Sequence, residues 1–303
     1  MAYDPSGLRK RAALQKHLAG RRVLITGASL EGIGRILAHI HSLHGAEVAI
    51  ADLLPLEKAA EECRKLGAAR VVCVQFDAGK EGDSIRMVEE VAAQMTGGVI
   101  DDLYLNHNLG VFSPMLEQKD LLETARRNTR VNYFGYIEIA HAAQPFLLDS
   151  ARARDDKKKS TIMVISSLAA AVPMLNTHCY AASKAAISAW FKCLRLELRS
   201  SPELSKLLSV CIMNFSAVKT KTLISALGGE GGVNKKVLAI AADPVETSWA
   251  TVCAAMKNVP NSYFPSSVGA LPIIYSVWPW LGRQLVNSVP THAVAKLTTD
   301  TAP

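Results

Sequence analysis

Residues 22–34 read R-V-L-I-T-G-A-S-L-E-G-I-G, and this stretch decides the fold. R-V-L-I-T, residues 22–26, has the composition of a short buried strand, and R-I-L-A-H-I-H-S-L-H, residues 35–44, has the periodicity of a helix. A strand, a glycine-rich turn and a helix in that order form a phosphate cradle. Backbone N–H groups and the helix N-terminus face the anion, and the missing side chains let a pyrophosphate approach. Gly27, Ser29, Gly32, Ile33 and Gly34 are therefore candidate cofactor contacts, and the cofactor implied is a dinucleotide. Eighteen residues after Gly34, the strand E-V-A-I-A ends in Asp52, whose carboxylate can accept hydrogen bonds from both adenosine ribose hydroxyls. The same charge repels a 2′-phosphate, and Glu31 stands in the turn where a phosphate reader would want a cation, so NAD is expected. Arg35 and Arg21 argue the other way and keep NADP as the alternative.

Outward from this unit, strand-like apolar runs at 22–26, 47–51, 71–75, 102–106, 161–166, 210–214 and 262–264 alternate with helix-like stretches. That alternation is the pattern of an α/β protein with a parallel sheet covered on both faces, a doubly wound Rossmann-type fold. At 303 residues and 49% hydrophobic content the chain can bury a large core, and no linker or repeat divides it. The expected organisation is an N-terminal arm (1–20), one dinucleotide-binding catalytic domain (21–265) and a C-terminal apolar segment and tail (266–303). The charged stretch R-A-R-D-D-K-K-K, residues 152–159, reads as a solvated loop without a ligand.

A second constellation supplies chemistry. In Y-A-A-S-K, Tyr180 and Lys184 stand at i and i+4, so on a helix they project from one face, and Ser167 lies thirteen residues upstream at the end of an apolar run. Bringing a tyrosine from a pKa of about 10 to about 7 needs roughly 4 kcal/mol of preferential phenolate stabilisation, which an ammonium can supply in a water-poor site. Ser167 can hydrogen-bond a substrate oxygen and stabilise charge developing there.

With both constellations present, the chain resembles the short-chain dehydrogenase/reductase family over residues 20 to 265, and within it the 11β-hydroxysteroid dehydrogenase branch. The resemblance rests on L-N-H-N at 105–108, R-V-N-Y-F-G at 130–135, V-I-S-S-L-A at 164–169 and Y-A-A-S-K at 180–184. It implies a catalytic tetrad of Asn132, Ser167, Tyr180 and Lys184, with Asn106 steadying the sheet beside the cofactor and Asp77 contacting adenine. It also places Val218, Thr220 and Thr222 at the nicotinamide carboxamide and pyrophosphate. A substrate wall of Ser167, Leu168, Val172, Met174, Leu175, Tyr180, Ala217 and Val218 is expected.

Three features depart from the family pattern. Ala28, Ser29, Leu30 and Glu31 put four residues between the first two glycines where the family has three; Asn106, His107, Asn108 and Leu109 replace N-N-A-G; and Phe215 and Ser216 replace P-G. The hydroxysteroid branch partly shares the second.

The reaction implied is reversible hydride transfer between NAD(H) and a lipophilic, steroid-like secondary alcohol or ketone. Tyr180 would exchange the hydroxyl proton, Ser167 hold the oxygen, Lys184 bind ribose hydroxyls and depress the Tyr180 pKa, and Asn132 complete a water-linked proton path. Two alternatives stay open: an NADPH-dependent carbonyl reductase, and a sensor or scaffold that binds a dinucleotide without turnover.

The rest of the composition narrows the partners. The six cysteines show neither paired close spacing nor a metal pattern and read as reduced core residues. His39, His41 and His44 lie near one helix without supporting carboxylates, so no metal site is expected, and His178 reads as a helix-start residue. A net charge of +7 raises nucleic acid as a partner, but the basic residues form no aromatic-interleaved patch, and none is expected. L-R-K-R-A-A-L-Q-K-H-L, residues 8–18, is either an amphipathic membrane-surface helix or an arm packed on the core. G-A-L-P-I-I-Y-S-V-W-P-W-L, residues 269–281, is too short to span a bilayer; it reads either as an interfacial segment or as a lid or dimer-packing element. With no signal peptide or spanning run ahead of the domain, a cytoplasmic protein is expected, peripheral on a membrane if the C-terminal segment inserts. A homodimer through the catalytic helix and the helix carrying Asn132 is implied by the resemblance.

Overall fold

The apolar runs become strands at nearly the expected limits in the computed structural model, which describes residues 12–226 and 240–288. The strands are β1 (Arg22–Thr26), β2 (Glu47–Asp52), β3 (Arg70–Gln75), β4 (Asp102–Leu105), β5 (Ser160–Ser167), β6 (Leu208–Phe215) and β7 (Asn261–Phe264). They form one seven-stranded sheet in the order β3-β2-β1-β4-β5-β6-β7. Every pairing is parallel, so the order reverses between β1 and β4 and opens a crevice beyond their C-terminal ends.

Side-chain alternation divides the core into two layers. Val23 and Ile25 of β1, Val48 and Ile50 of β2 and Met213 of β6 pack with Ile36, Leu37 and Ile40 of helix α2 (Ile33–Leu43), Ala59 of α3 (Glu57–Lys65) and Trp249 of the helix Pro244–Met256. On the other face, Leu24, Leu103, Val164 and Ile212 meet Met87 and Val91 of α4 (Asp83–Gln94), Ile139 of α6 (Gly135–Ala153) and Phe191 of α7 (His178–Ser200). The short α5 (Leu121–Thr129) runs into α6 through a π turn at Arg130–Phe134.

Helix α1 (Ala12–Leu18) decides between the two readings of the arm over the residues described. Leu14 and Leu18 are buried in the α2 layer, and Gln15 donates to the His44 carbonyl at 3.2 Å. This part of the arm packs on the core; the basic residues 8–11 lie outside the described residues.

The opposite end of the sheet from the crevice is bolted by charge. Arg21 makes a two-pronged pair with Asp102, while Arg22 and Arg154 both engage the buried Asp101 at 2.9 and 2.8 Å. Arg154 therefore corrects the reading of residues 152–159 as a wholly solvated loop. Two more expectations change. Cys73 and Cys193 are exposed rather than in the core, whereas burial pushes the Cys63 and Cys211 thiols up to about 11. His39 does have a carboxylate neighbour, Glu62 at 3.1 Å. Among the described residues, no helix is long and apolar enough to cross a membrane.

Candidate active site

The crevice at the strand ends is a cleft of about 870 Å³. It is lined by Gly27, Gly32, Ile33, Gly34, Asp52, Asp77, Asn106, Ser167, Met174, Leu175, Tyr180, Lys184, Ala217, Val218 and Thr220 among others, so the structure brings most of the candidate residues to one place.

On the glycine side, each glycine has its own steric reason. Gly27 follows β1 with φ 72°, and a side chain there would meet the His107 backbone at 2.7 Å. A Cβ on Gly34 would collide with the Gly27 carbonyl, so the first turn of α2 packs directly on the loop. Gly32 is less crowded: outside its chain neighbours, the nearest atoms to its Cβ position, from Leu30 and Thr220, stand 3.9 Å away, and α2 starts there with no side-chain cap. An anion fits such an uncapped helix N-terminus. Asn106 ties the arrangement together by donating to the Thr26 and Gly27 carbonyls at 3.1 and 2.9 Å. The extra residue is absorbed at the rim. Leu30 lines the cleft at 47% exposure, and Glu31 turns to Lys58 at 3.3 Å and Lys221 at 2.9 Å. These lysines hold the Glu31 carboxyl below its ordinary value, Lys221 most strongly. Glu31 is thus a neutralised anion, which removes the phosphate-repelling role expected of it.

Asp52 is held in place by the Ser29 and Leu54 N–H groups, at 2.8 and 3.2 Å, and still lines the cleft. Ser29 itself departs from expectation. Its hydroxyl is spent on the Pro55 carbonyl and it does not line the cleft, so it positions Asp52 rather than facing a cofactor. Neither arginine that argued for NADP reaches this place. Arg35 is buried against the Ser29 carbonyl and Glu62, and Arg21 sits at the far end of the sheet. Asp77 accepts from Gly79 N–H at 2.7 Å, and Thr220 accepts from Leu223 N–H at 3.2 Å, capping the helix Lys221–Ala226. The Thr222 side chain lies outside the described residues.

On the reaction side, β5 delivers Ser167, whose hydroxyl accepts from Ala169 N–H at 3.1 Å and lies beside the Tyr180 phenol. Leu168 and Val172 do not join the wall. The short turn that the Ser167 hydroxyl caps sends Leu168 inward and leaves Ala169 on the cleft surface. Lys184, 1% exposed, donates to the Ile165 carbonyl at 3.1 Å and the Tyr136 hydroxyl at 3.4 Å, with its ammonium 5.9 Å from the Tyr180 ring centre. The electrostatics run opposite to expectation. Burial raises the Tyr180 pKa above 10, with only Ser167 opposing it, and brings Lys184 down to about 7. Both charged forms lose water in the same site, and no carboxylate offsets the loss for the ammonium.

Asn132 has a structural part to play as well. Buried in the π turn, its amide both accepts from Leu109 N–H and donates to the Leu109 carbonyl, each at 2.8 Å, and donates to Ser183 Oγ at 3.0 Å. Its side chain clamps the loop after β4 and α7 together, with its amide hydrogens committed to Leu109 and Ser183. His178 meets Gln118 at 3.2 Å and is not on the cleft wall. Residues not anticipated are Phe112, edge-on to Tyr180 at 5.3 Å, and Tyr136 behind Lys184. The loop holding Phe112 has no periodicity to betray it, whereas Tyr136 stands four residues after Asn132, the same spacing that exposed Tyr180 and Lys184.

Comparison with known proteins agrees with this geometry. The family model described as short chain dehydrogenase matches residues 21–257. A hydroxysteroid 11-beta-dehydrogenase 1-like protein of Gallus gallus is 30% identical over 252 residues, 82% of this chain and 80% of that one. A protein of the same description from Bos taurus is 28% identical over 284 residues, 92% and 91% of the two chains. Among solved structures, a short chain dehydrogenase/reductase from Burkholderia phymatum in complex with NAD superposes with a TM-score of 0.71 at 17% identity, covering 86% of this chain and 94% of that one. A putative NAD(P)-dependent gluconate 5-dehydrogenase from Beutenbergia cavernae with bound NADP gives 0.66 at 23% identity, covering 78% and 90%.

Proposed function

The chain belongs to the short-chain dehydrogenase family, and we propose that it transfers hydride between NAD(H) and a lipophilic secondary alcohol or ketone of steroid-like character. The observation that carries this reading is the placement of Tyr180, Ser167 and Lys184 in the same cleft as the open glycine turn and Asp52. A nicotinamide cofactor bound there supplies the hydride acceptor or donor. Gly32 and the N-terminus of α2 would hold its pyrophosphate, Asp52 its adenosine ribose, Asp77 its adenine, and Val218 and Thr220 its nicotinamide end. In oxidation, Ser167 holds the substrate oxygen while the Tyr180 oxygen takes the hydroxyl proton. Lys184 in its charged form would favour the Tyr180 phenolate from 5.9 Å away, against the burial that opposes both charges.

The cleft supports an apolar substrate, since Leu109, Phe112, Met174, Leu175 and Ala217 all line it. The names of the hydroxysteroid dehydrogenase-like relatives point the same way. A second reading, NADPH-dependent carbonyl reduction, draws on one observation: Lys58 and Lys221 stand at the cleft rim with Glu31 between them, a place with net positive charge. Titrating cofactor fluorescence with NADH and NADPH, followed by a panel of alcohols and ketones, separates the two. Tighter NADPH binding would overturn the NAD reading, and cofactor binding with no turnover across the panel would favour a sensor.

Two further proposals concern association. A homodimer would use the outer faces of α6 and α7, where Leu196 and, in the π turn, Phe134 are exposed. The helices Leu271–Val277 and Pro279–Ser288 and the residue between them, Trp278, expose Ile273, Val277, Trp278 and Trp280, an apolar surface suited to the membrane interface or to a second subunit.

A further inference from the structure

A buried ammonium needs acceptors, and those of Lys184 come from unequal sources. The Ile165 carbonyl at 3.1 Å belongs to the sheet and is fixed by it. The other, the Tyr136 hydroxyl oxygen at 3.4 Å, belongs to a side chain whose orientation must itself be secured. Tyr136 is fully buried and donates its only proton to the His107 carbonyl at 2.8 Å, with the Ile165 carbonyl at 3.4 Å as a second neighbour. With that proton committed, the phenol oxygen turns lone pairs rather than a hydrogen toward the ammonium. The ring adds to this, since Lys184 Nζ lies 5.0 Å from its centre, within range of a cation–π attraction.

The helices make the contact one of a pair. Asn132 and Tyr136 stand four residues apart across the π turn and the start of α6, so they share a face. Opposite them on α7 are the consecutive residues Ser183 and Lys184. Asn132 reaches Ser183 at 3.0 Å, and Tyr136 reaches Lys184. One rung fixes the helix and the other fixes the ammonium on it. Two of the three Lys184 N–H bonds are then directed inward, and one remains for the cleft that Lys184 lines.

We propose that Tyr136 is a positioning residue for the reaction, holding the Lys184 ammonium charged and aimed at the cleft through its phenol oxygen. The proposal rests on the catalytic reading of Lys184 given above. The groups facing that ammonium are Tyr136 from α6, Tyr180 from its own helix, the neutral His107 imidazole from the end of β4 and the Ile165 carbonyl from β5. Burial opposes the charge and holds Lys184 near 7, so loss of one acceptor matters at neutral pH.

The test is the titration of Lys184 followed by NMR of the lysine side chain in the full chain, in wild type and in Tyr136→Phe. This substitution keeps the ring and the core volume, so a merely space-filling role predicts an unchanged midpoint. The proposal predicts a fall of about one pH unit, the size expected for losing a hydrogen bond to a charged group. An unchanged or raised midpoint overturns it. On an alcohol that wild type oxidises, the acidic limb of kcat/KM should move up by about one pH unit, because a less charged Lys184 supports the Tyr180 phenolate less well. The loss should fall on kcat, with NAD affinity retained. If wild type oxidises nothing on the panel, the reading of function fails while the NMR titration still decides the role of Tyr136. Should Tyr136→Phe not fold, wild type alone answers: the ring carbon bearing the Tyr136 hydroxyl should shift with the Lys184 midpoint, and independence of the two overturns the proposal.

Discussion

Lys184 shows how a single residue couples function to a cost in stability. Its pKa is ordinary, 10.5, in the unfolded chain and about 7 in the fold, so between those values the unfolded state binds the proton and the folded state does not. Wild-type stability therefore gains from this group as pH rises from about 7 to 10.5, and the burial penalty is complete below 7. Lys184→Met should abolish turnover yet stabilise the protein by ~2 kcal/mol at pH 6, an advantage that shrinks toward pH 10. Urea unfolding of both proteins at pH 6, 8 and 10 checks the sign and the trend. Tyr180→Phe tests the adjacent group. It removes the transferable proton and little volume, so activity should drop by about 10²–10⁴-fold with cofactor affinity within a few-fold. Retention of most activity would end the proposed mechanism. At Asp52, wild type should bind NAD more tightly than NADP, and Asp52→Ala with Leu53→Arg should reverse or narrow the ratio in a fluorescence titration, because Leu53 also lines the cleft. Residue identities at these positions were legible from spacing alone. The direction of the Tyr180 and Lys184 shifts was not, because it depends on how completely β5, α6 and α7 close over the pair.

At the scale of elements, the central strands β1, β2, β4, β5 and β6 were legible because they are runs buried on both faces, which parallel sheets demand, whereas the edge strands β3 and β7 are partly exposed. The glycine turn was legible as a cradle but not in the use of its extra residue. Sequence spacing counts Glu31 as a free anion beside the cofactor, whereas the fold brings Lys58 and Lys221 to it from elements 27 and 190 residues further along. The Lys221–Glu31 pair links the helix Lys221–Ala226 to the turn, next to the cleft residues Leu30 and Thr220. Glu31→Gln should loosen that link and speed cofactor release several-fold in stopped-flow displacement, with the effect in wild type fading as salt screens the pair. An unchanged release rate at low salt would show that the pair only decorates the rim. The clamp made by Asn132 was hidden for a related reason: its partners Leu109 and Ser183 are 23 and 51 residues away, and only the π turn aims the amide between them.

For the whole molecule, the open question is what covers its C-terminal face. Trp278 and Trp280 are 61% and 67% exposed, beside Ile273 and Val277 on the two short helices that follow the last strand. Leaving such a surface in water is unfavourable, and two indoles flanked by aliphatic residues are suited to the headgroup layer of a bilayer. The net charge of +7 adds attraction to an anionic membrane. On that reading, wild type should co-sediment with vesicles containing phosphatidylserine, and Trp278→Ser with Trp280→Ser should release it. Activity on lipophilic substrates should then fall while activity on a small soluble alcohol holds, since delivery from the bilayer is lost and the tetrad is untouched. If the face instead packs against a second subunit, the same double substitution should lower the sedimentation coefficient and the melting temperature and reduce both activities alike. Vesicle binding, sedimentation velocity and thermal melting on the one variant therefore distinguish the two. Wild type that ignores the vesicles removes the membrane reading. Wild type that stays monomeric at micromolar concentration removes the dimer and leaves the α6 and α7 faces free.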